Sequence, residues 1–243
     1  MRTTTVVETE GTFAELWDRA QTGSVIEIAS FSIGNIRDWR AGYDDFLLVF
    51  HLSNEFMGLT KNGIMVSLGV YSCNSWQTDD QGIVICRGVD FFRLTVEKEL
   101  LLLDLGAREV FDDWRIGKSG LFTRRGGFYH KLEPQHCSLL FGYHSSIESW
   151  ASGPAGLILY NGIDFGEITR KDEDRLVWTE AGTVDTWAVT PSGLVTCVDS
   201  NFALNRVAGK KTYLGYHPCT RWQVGPHGII IQQADTFSLI VIK

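Results

Sequence analysis

Residues 147–180 read IESWASGPAGLILYNGIDFGEITRKDEDRLVWTE. The stretch opens on Ile147-Glu148-Ser149-Trp150-Ala151, a short strand built around an indole. Gly153-Pro154-Ala155-Gly156 follows, where Gly and Pro supply the φ angles of a tight turn. Residues 157–160 are an unbroken apolar strand. Asn161-Gly162 then reads as a hairpin, because both residues take φ > 0 readily. A third strand begins at Phe165, and after a polar loop residues 175–179 make a fourth. Four short strands with their turns use up about 37 residues and leave no room for a helix.

The same grammar runs along the chain. Six of the eight tryptophans, Trp39, Trp76, Trp114, Trp150, Trp187 and Trp222, are spaced by 37, 38, 36, 37 and 35 residues. A fixed period of this size marks a repeat architecture. Six residues after the indole stands Gly82, Gly120, Gly156, Gly193 or Gly228, with Asp45 in the first copy, and each is followed by an apolar run. Fifteen residues after it stands Phe91, Tyr129, Phe165, Phe202 or Phe237, with Phe56 slightly displaced in the first copy. Before each Trp an apolar stretch ends at Gly34, Gly69, Gly106, Gly142, Gly182 or Gly215.

A four-stranded meander cannot bury both faces alone, so the copies must stack on one another. Terminal copies as apolar as the middle ones argue for a closed ring rather than an open solenoid with polar caps. The expected fold is therefore all-β, a six-bladed β-propeller of four-stranded blades. The sixth copy ends after its third strand, at Lys243, while an orphan strand, Val25-Ile26-Glu27-Ile28-Ala29, precedes the first. That strand is expected to complete the last blade and hide two sheet edges. The propeller is then residues 25–243, preceded by an extension over 1–24. In the extension Phe13, Leu16, Trp17 and Ala20 share one face of a short helix, with Thr12 and Glu15 at capping-box spacing. The helix either plugs the channel or lies on the outer rim, and residues 3–7 form an extra edge strand.

Over residues 25–243 the unit, a Trp followed by Gly and an apolar strand, then an aromatic, then an apolar strand ending in Gly, resembles WD-type propeller blades. The length and Trp period also resemble tectonin-like lectin repeats. No copy ends in Trp-Asp or carries a Gly-His pair, and the spacing around the Trp differs from tectonins, so the resemblance implies architecture and assigns no functional residue.

Composition narrows the function. The net charge of −7, from 22 basic and 29 acidic residues, lacks the basic footprint that a nucleic-acid backbone requires. The longest apolar run falls far short of the roughly 20 residues that span a bilayer, and the N-terminus is not a secretory signal. Cys73, Cys86, Cys137, Cys197 and Cys219 are odd in number and show no C-x-x-C spacing, which points to reduced thiols in the cytoplasm and to no metal site. No nucleophile elbow, H-E-x-x-H, P-loop or dinucleotide fingerprint is present, so no cofactor is expected.

In such blades the loops after the fourth and second strands share one face. Tyr71, Arg108, Tyr143, His144, Tyr216 and His217 fall in the first set, and Gly-Tyr-His occurs there twice. They are the candidate ligand-binding residues of the channel mouth, by hydrogen bonding and stacking, against the alternative that they fill gaps between blades. Asp90, Asp164, Asp199 and Asp235 in the second set read as turn residues rather than cation ligands. The repeated indoles read as core, leaving Trp17 and Trp178 for surface contact. Residues flanking the indoles are often charged, among them Arg37, Asp38, Arg40, Asp112, Asp113, Arg115, Glu148, Asp185 and Arg221. They form either salt bridges lining a wet tunnel or a polar pocket. The expected role is a non-catalytic binding or scaffold module for a protein or small ligand. The alternatives are a lectin with repeated glycan sites and a propeller hydrolase or lyase.

Overall fold

The computed structural model describes residues 13–30, 36–95, 97–105, 110–142, 147–169, 174–178, 182–206 and 210–243. A helix α1 (Phe13–Arg19) precedes a strand β1 (Val25–Ser30). The first blade is β2 (Ile36–Ala41), β3 (Phe46–Leu52), β4 (Glu55–Thr60) and β5 (Met65–Val70). The second is β6 (Ser75–Asp79), β7 (Gly82–Arg87), β8 (Asp90–Leu94) and β9 (Leu100–Leu103). The third is β10 (Asp113–Gly117), β11 (Gly120–Arg125), β12 (Phe128–Glu133) and β13 (His136–Phe141). The fourth is β14 (Ser149–Ser152), β15 (Leu157–Tyr160), β16 (Phe165–Ile168) and β17 (Asp174–Trp178). The fifth is β18 (Thr186–Thr190), β19 (Gly193–Val198), β20 (Asn201–Asn205) and β21 (Lys211–Tyr216). The last blade holds β22 (Arg221–Gly225), β23 (Gly228–Gln233) and β24 (Thr236–Val241), and β1 is its fourth strand.

The strands form six antiparallel four-stranded sheets. The Trp strands touch from blade to blade, β2 with β6, then β10, β14, β18 and β22, and β22 returns to β2. The ring is therefore closed and its innermost strands are those that carry the indoles. The chain is a six-bladed β-propeller. Closure uses the N-terminal strand as expected: Val25 pairs with Ile240 and Ser30 with Thr236.

The repeated residues meet one another between blades. Each indole leans edge-on against the third-strand aromatic of the preceding blade: Trp76 on Phe56, Trp114 on Phe91, Trp150 on Tyr129, Trp187 on Phe165, Trp222 on Phe202 and Trp39 on Phe237. Their ring centroids lie 4.9–5.4 Å apart, the T-shaped geometry that aromatic quadrupoles prefer. The third-strand aromatic of one blade thus meets the indole of the next blade, not the indole fifteen residues before it in its own. Five of the blades also share a bulge in the outer strand directly beside that aromatic, where Leu68, Leu140, Val177, Leu214 and Ile28 are the extra residues. A bulge twists the strand and bends it along the ring.

The glycine six residues after the indole opens the second strand. At Gly193 φ is +142° and at Gly228 +139°, a conformation closed to side chains. A Cβ there would also strike the Asn205 or Ile240 carbonyl oxygen of the third strand.

Helix α1 places Phe13, Leu16, Trp17 and Ala20 against the core between the last and first blades. It rests beside β1 and on His227, which stands edge-on to Phe13 at 5.9 Å and to Trp17 at 5.4 Å. Lys243 locks the junction, its Nζ lying 5.3 Å above the Trp17 ring and donating to the Trp17 carbonyl at 2.5 Å. The edge strand expected over residues 3–7 and the Thr12 cap lie outside the described residues.

Candidate functional site

Strand β2 and its five counterparts run from the loop after each outer strand toward the first hairpin, which puts the indoles near the end where those loops lie. The residue before the indole and the residue after it point to the next blade. Around the ring the first position holds Asp38, Ser75, Asp113, Ser149, Thr186 and Arg221. The second holds Arg40, Gln77, Arg115, Ala151, Ala188 and Gln223. These pairs form a belt along the inner wall.

Two kinds of joint recur in the belt. Where the following residue is Gln, its amide grips the next inner strand by both ends. Gln77 Nε2 donates to the Trp114 carbonyl at 2.6 Å and its Oε1 accepts the Ile116 N–H at 3.2 Å. Gln223 does the same with the Trp39 carbonyl at 3.0 Å and the Ala41 N–H at 3.1 Å. Where a hydroxyl precedes the indole, it receives the next blade's indole N–H. Trp114 donates to Ser75 Oγ at 2.7 Å, Trp187 to Ser149 Oγ at 2.6 Å and Trp222 to Thr186 Oγ1 at 2.9 Å.

Asp-Trp-Arg blades break both rules. Asp38 turns back to accept its own Trp39 N–H at 2.9 Å and pairs with Arg40 at 2.8 Å. Asp113 repeats this with Trp114 N–H at 2.8 Å and Arg115 at 2.6 Å. Each arginine lies over the next indole, Arg40 5.0 Å from the Trp76 ring centre and Arg115 5.2 Å from that of Trp150. With no hydroxyl on offer, the buried indole N–H groups of Trp76 and Trp150 are without a partner among the described residues. Arg221 completes the set across the closure, 5.0 Å from the Trp39 ring centre and 2.6 Å from Asp38. Burial pulls the Arg40 guanidinium below its usual pKa, Asp38 opposes this, and the positive fields of Arg221 and Arg115 add to it. The three guanidinium groups, from the last, first and third blades, therefore share one electrostatic neighbourhood. The charged belt residues form salt bridges, Asp38–Arg40 and Asp113–Arg115 within one strand and Asp38–Arg221 across the closure.

Charged residues one position further out serve the hairpins. Asp112 accepts the Gly126 N–H at 2.7 Å and Asp185 that of Asp199 at 2.7 Å, while Asn74 does the same for Gly88 at 2.7 Å. Asp199 and Ser200 hold φ of 48° and 63°, a primed hairpin turn, and Asn161 Oδ1 accepts the N–H groups of Ile163 and Asp164. No group of three or more potential metal ligands exists among the described residues.

Of the six channel-mouth candidates, Arg108, Tyr143 and His144 lie outside the described residues. Tyr71 and His217 occupy equivalent places, each folded back over the glycine two residues earlier, Gly69 and Gly215. Tyr71 donates its hydroxyl to the Lys98 carbonyl of the next blade, and His217 Nε2 lies 3.0 Å from the Leu214 carbonyl. Tyr216, the residue between, is 62% exposed, and so is its counterpart Val70 at 69%. Further exposed apolar residues stand at the same end of the sheets: Val110 in a connecting loop, and Phe128, Ile163 and Val198 beside second hairpins. Of the twelve exposed large hydrophobics described, six lie at this end and two, Val25 and Ile64, at the other. Trp17 is engaged in the α1 cluster, and the Trp178 side chain lies outside the described residues.

Sequence reading singled out the charged flanks of the indoles but not their pairing with the next indole. The signal was present as Asp-Trp-Arg at 38–40 and 113–115.

No family model and no curated protein matches the chain. Among solved structures it is similar to PorZ, an essential bacterial surface component of the type-IX secretion system of Porphyromonas gingivalis. The TM-score is 0.48 and the identity 11%, over 86% of this chain and 32% of that one, so the chain spans about a third of that structure. It is similar to a catalytically inactive virginiamycin B lyase from Staphylococcus aureus solved with quinupristin, at a TM-score of 0.48 and 11% identity over 81% and 77% of the two chains. A third is a symmetrical protein studied for its de novo evolutionary emergence, at a TM-score of 0.42 and 14% identity over 74% and 93%.

Proposed function

We propose that the chain is a non-catalytic binding module that docks a protein partner at the end of the ring carrying the loops after the outer strands and the second hairpins. The uneven distribution of exposed apolar side chains carries this reading: Val70, Val110, Phe128, Ile163, Val198 and Tyr216 gather there, against Val25 and Ile64 opposite. Apolar side chains repeated around one rim, between polar turns, offer the mixed surface that protein interfaces use. The six repeated indoles are committed to contacts between blades, which favours the protein-binding reading over repeated sugar platforms. An odd set of unpaired cysteines fits a cytoplasmic setting.

The test uses photo-crosslinking residues placed at position 216 or 70 and, as a control, at position 64, in cells that make the protein. A discrete adduct from 216 and 70 and none from 64 supports the proposal. Equal adducts from both ends, or none from the rim, refute it.

A further inference from the structure

We infer that the inner belt binds a small oxyanion, a carboxylate or phosphate group, between Arg40, Arg115 and Arg221. Four observations converge on this. First, the belt holds three guanidinium groups against two carboxylates, Asp38 and Asp113, and its other seven positions are uncharged, so it is locally positive within a chain of net charge −7. Second, Arg40 and Arg221, from neighbouring blades, converge on one carboxylate, Asp38, at 2.8 and 2.6 Å, and the positive field of Arg115 reaches Arg40 as well.

Third, the belt has surplus donors. Arg40 and Arg115 each spend Nη1 on their own aspartate and a backbone carbonyl, leaving Nε and Nη2 without a partner among the described residues. Beneath them the buried indole N–H groups of Trp76 and Trp150 have no acceptor among the described residues, which marks where Asp-Trp-Arg has replaced the hydroxyl joint. No buried side-chain acceptor of the belt is left over to match them. A guanidinium laid flat on an indole has one face covered and its edge donors fixed in a plane, the arrangement that grips a planar or tetrahedral oxyanion. Fourth, the fourth and fifth blades, which lie between those of Arg115 and Arg221, present only the small side chains Ser149, Ala151, Thr186 and Ala188 at the belt positions.

The belt and the apolar rim are different surfaces, so either assignment can fail without the other. The experiment is titration of the whole protein with inorganic phosphate, and in a second arm with succinate, at constant ionic strength set by chloride. Binding is read by calorimetry and by the emission of the indoles beneath the guanidinium groups. The expected result is saturable binding at one site per chain, weakened about tenfold or more in Arg115→Gln and strengthened several-fold in Asp113→Asn, which frees Arg115 from its competitor. Lys61→Gln, at an exposed pair elsewhere, leaves it unchanged. The two arms say whether the phosphate or the carboxylate is preferred. Absence of saturable binding of both probes to the unaltered protein overturns the inference, whether or not the variants fold. So does binding that survives unchanged in a folded Arg115→Gln protein.

Discussion

Replacing single glycines by alanine separates two causes of the repeat. Gly193 and Gly82 open equivalent second strands with nearly the same backbone, φ +142° and +135°. Both substitutions place a side chain where only glycine is at ease, which costs about 1–3 kcal/mol. Their surroundings differ. At Gly82 the added methyl meets nothing nearer than the Leu94 carbonyl oxygen at 3.2 Å, a contact that a small shift relieves. At Gly193 it falls under 3.0 Å from the Asn205 carbonyl oxygen and close to the Arg206 backbone. That carbonyl belongs to a third strand hydrogen-bonded on both sides, so relief requires separating paired strands, and overpacking of this kind adds about 1–3 kcal/mol. Gly88, in a second hairpin at φ +65° with nothing near its missing Cβ, is the third member, with an expected loss of about 1–2 kcal/mol. The expected order of loss is therefore Gly193→Ala, then Gly82→Ala, then Gly88→Ala. Urea unfolding followed by circular dichroism gives the three values, provided the slopes agree with that of the unaltered protein. Equal losses at positions 193 and 82 would show that backbone conformation alone explains the glycine, and the steric argument would be wrong.

Three further outcomes follow from the ring. Asp38 holds Arg40 and Arg221 across the closure at 25% exposure, so Asp38→Asn should cost about 1–3 kcal/mol, whereas Asp45→Asn, in an exposed pair with Lys61, should stay within about 0.5 kcal/mol; urea midpoints that rank them the other way refute the assignment. Removing residues 1–30 bares the outer edge of β24, and sedimentation should show concentration-dependent association that a synthetic β1 peptide reverses; a stable monomer without β1 contradicts the closure. His51, His130 and His227 are all held below the ordinary value of 6.5, chiefly by burial, so the folded chain binds these protons more weakly than the unfolded chain. Their contribution to stability is complete above about pH 6.5 and is lost as the pH falls through the lowered values, so a urea midpoint that rises between about pH 7 and pH 5 refutes this assignment of direction.

The architecture was legible because a propeller writes its geometry in phase. Every blade must offer the same surfaces to its neighbours, so Trp, Gly and the third-strand aromatic recur at fixed intervals, and closure shows as a strand missing at one end and spare at the other. The blade boundaries and the role of β1 needed nothing more. The site was less legible. Asp38 and Arg221 are 183 positions apart in number and adjacent in space because the ring closes. The stacking of Arg40 on Trp76 follows from which face of an inner strand meets the next blade, a fact that period alone does not carry. Tyr71 and His217 illustrate the same limit: their spacing from Gly69 and Gly215 is plain in the sequence, while the fold-back over each glycine depends on the bulge beside it.

Departures from the repeat are more informative than the repeat. A ring built only from hydroxyl and glutamine joints would satisfy every indole N–H and every inner-strand contact, as Trp114, Trp187, Gln77 and Gln223 show. Substituting Asp-Trp-Arg at two blades strands two buried N–H groups, and each unmet donor costs about 1–3 kcal/mol. Pairing each arginine with its own aspartate returns little, since the pairs are part-exposed and lie within one strand. The guanidinium groups return part of this by lying over the next blade's indole, so blade docking accounts for the arginines but not for the stranded donors. An oxyanion on the free guanidinium edges would add to this, because it would bind the closed ring and not the unfolded chain and so raise stability when present. On the oxyanion proposal the ligand is gripped at the first, third and last blades, where the sequence abandons its own rule.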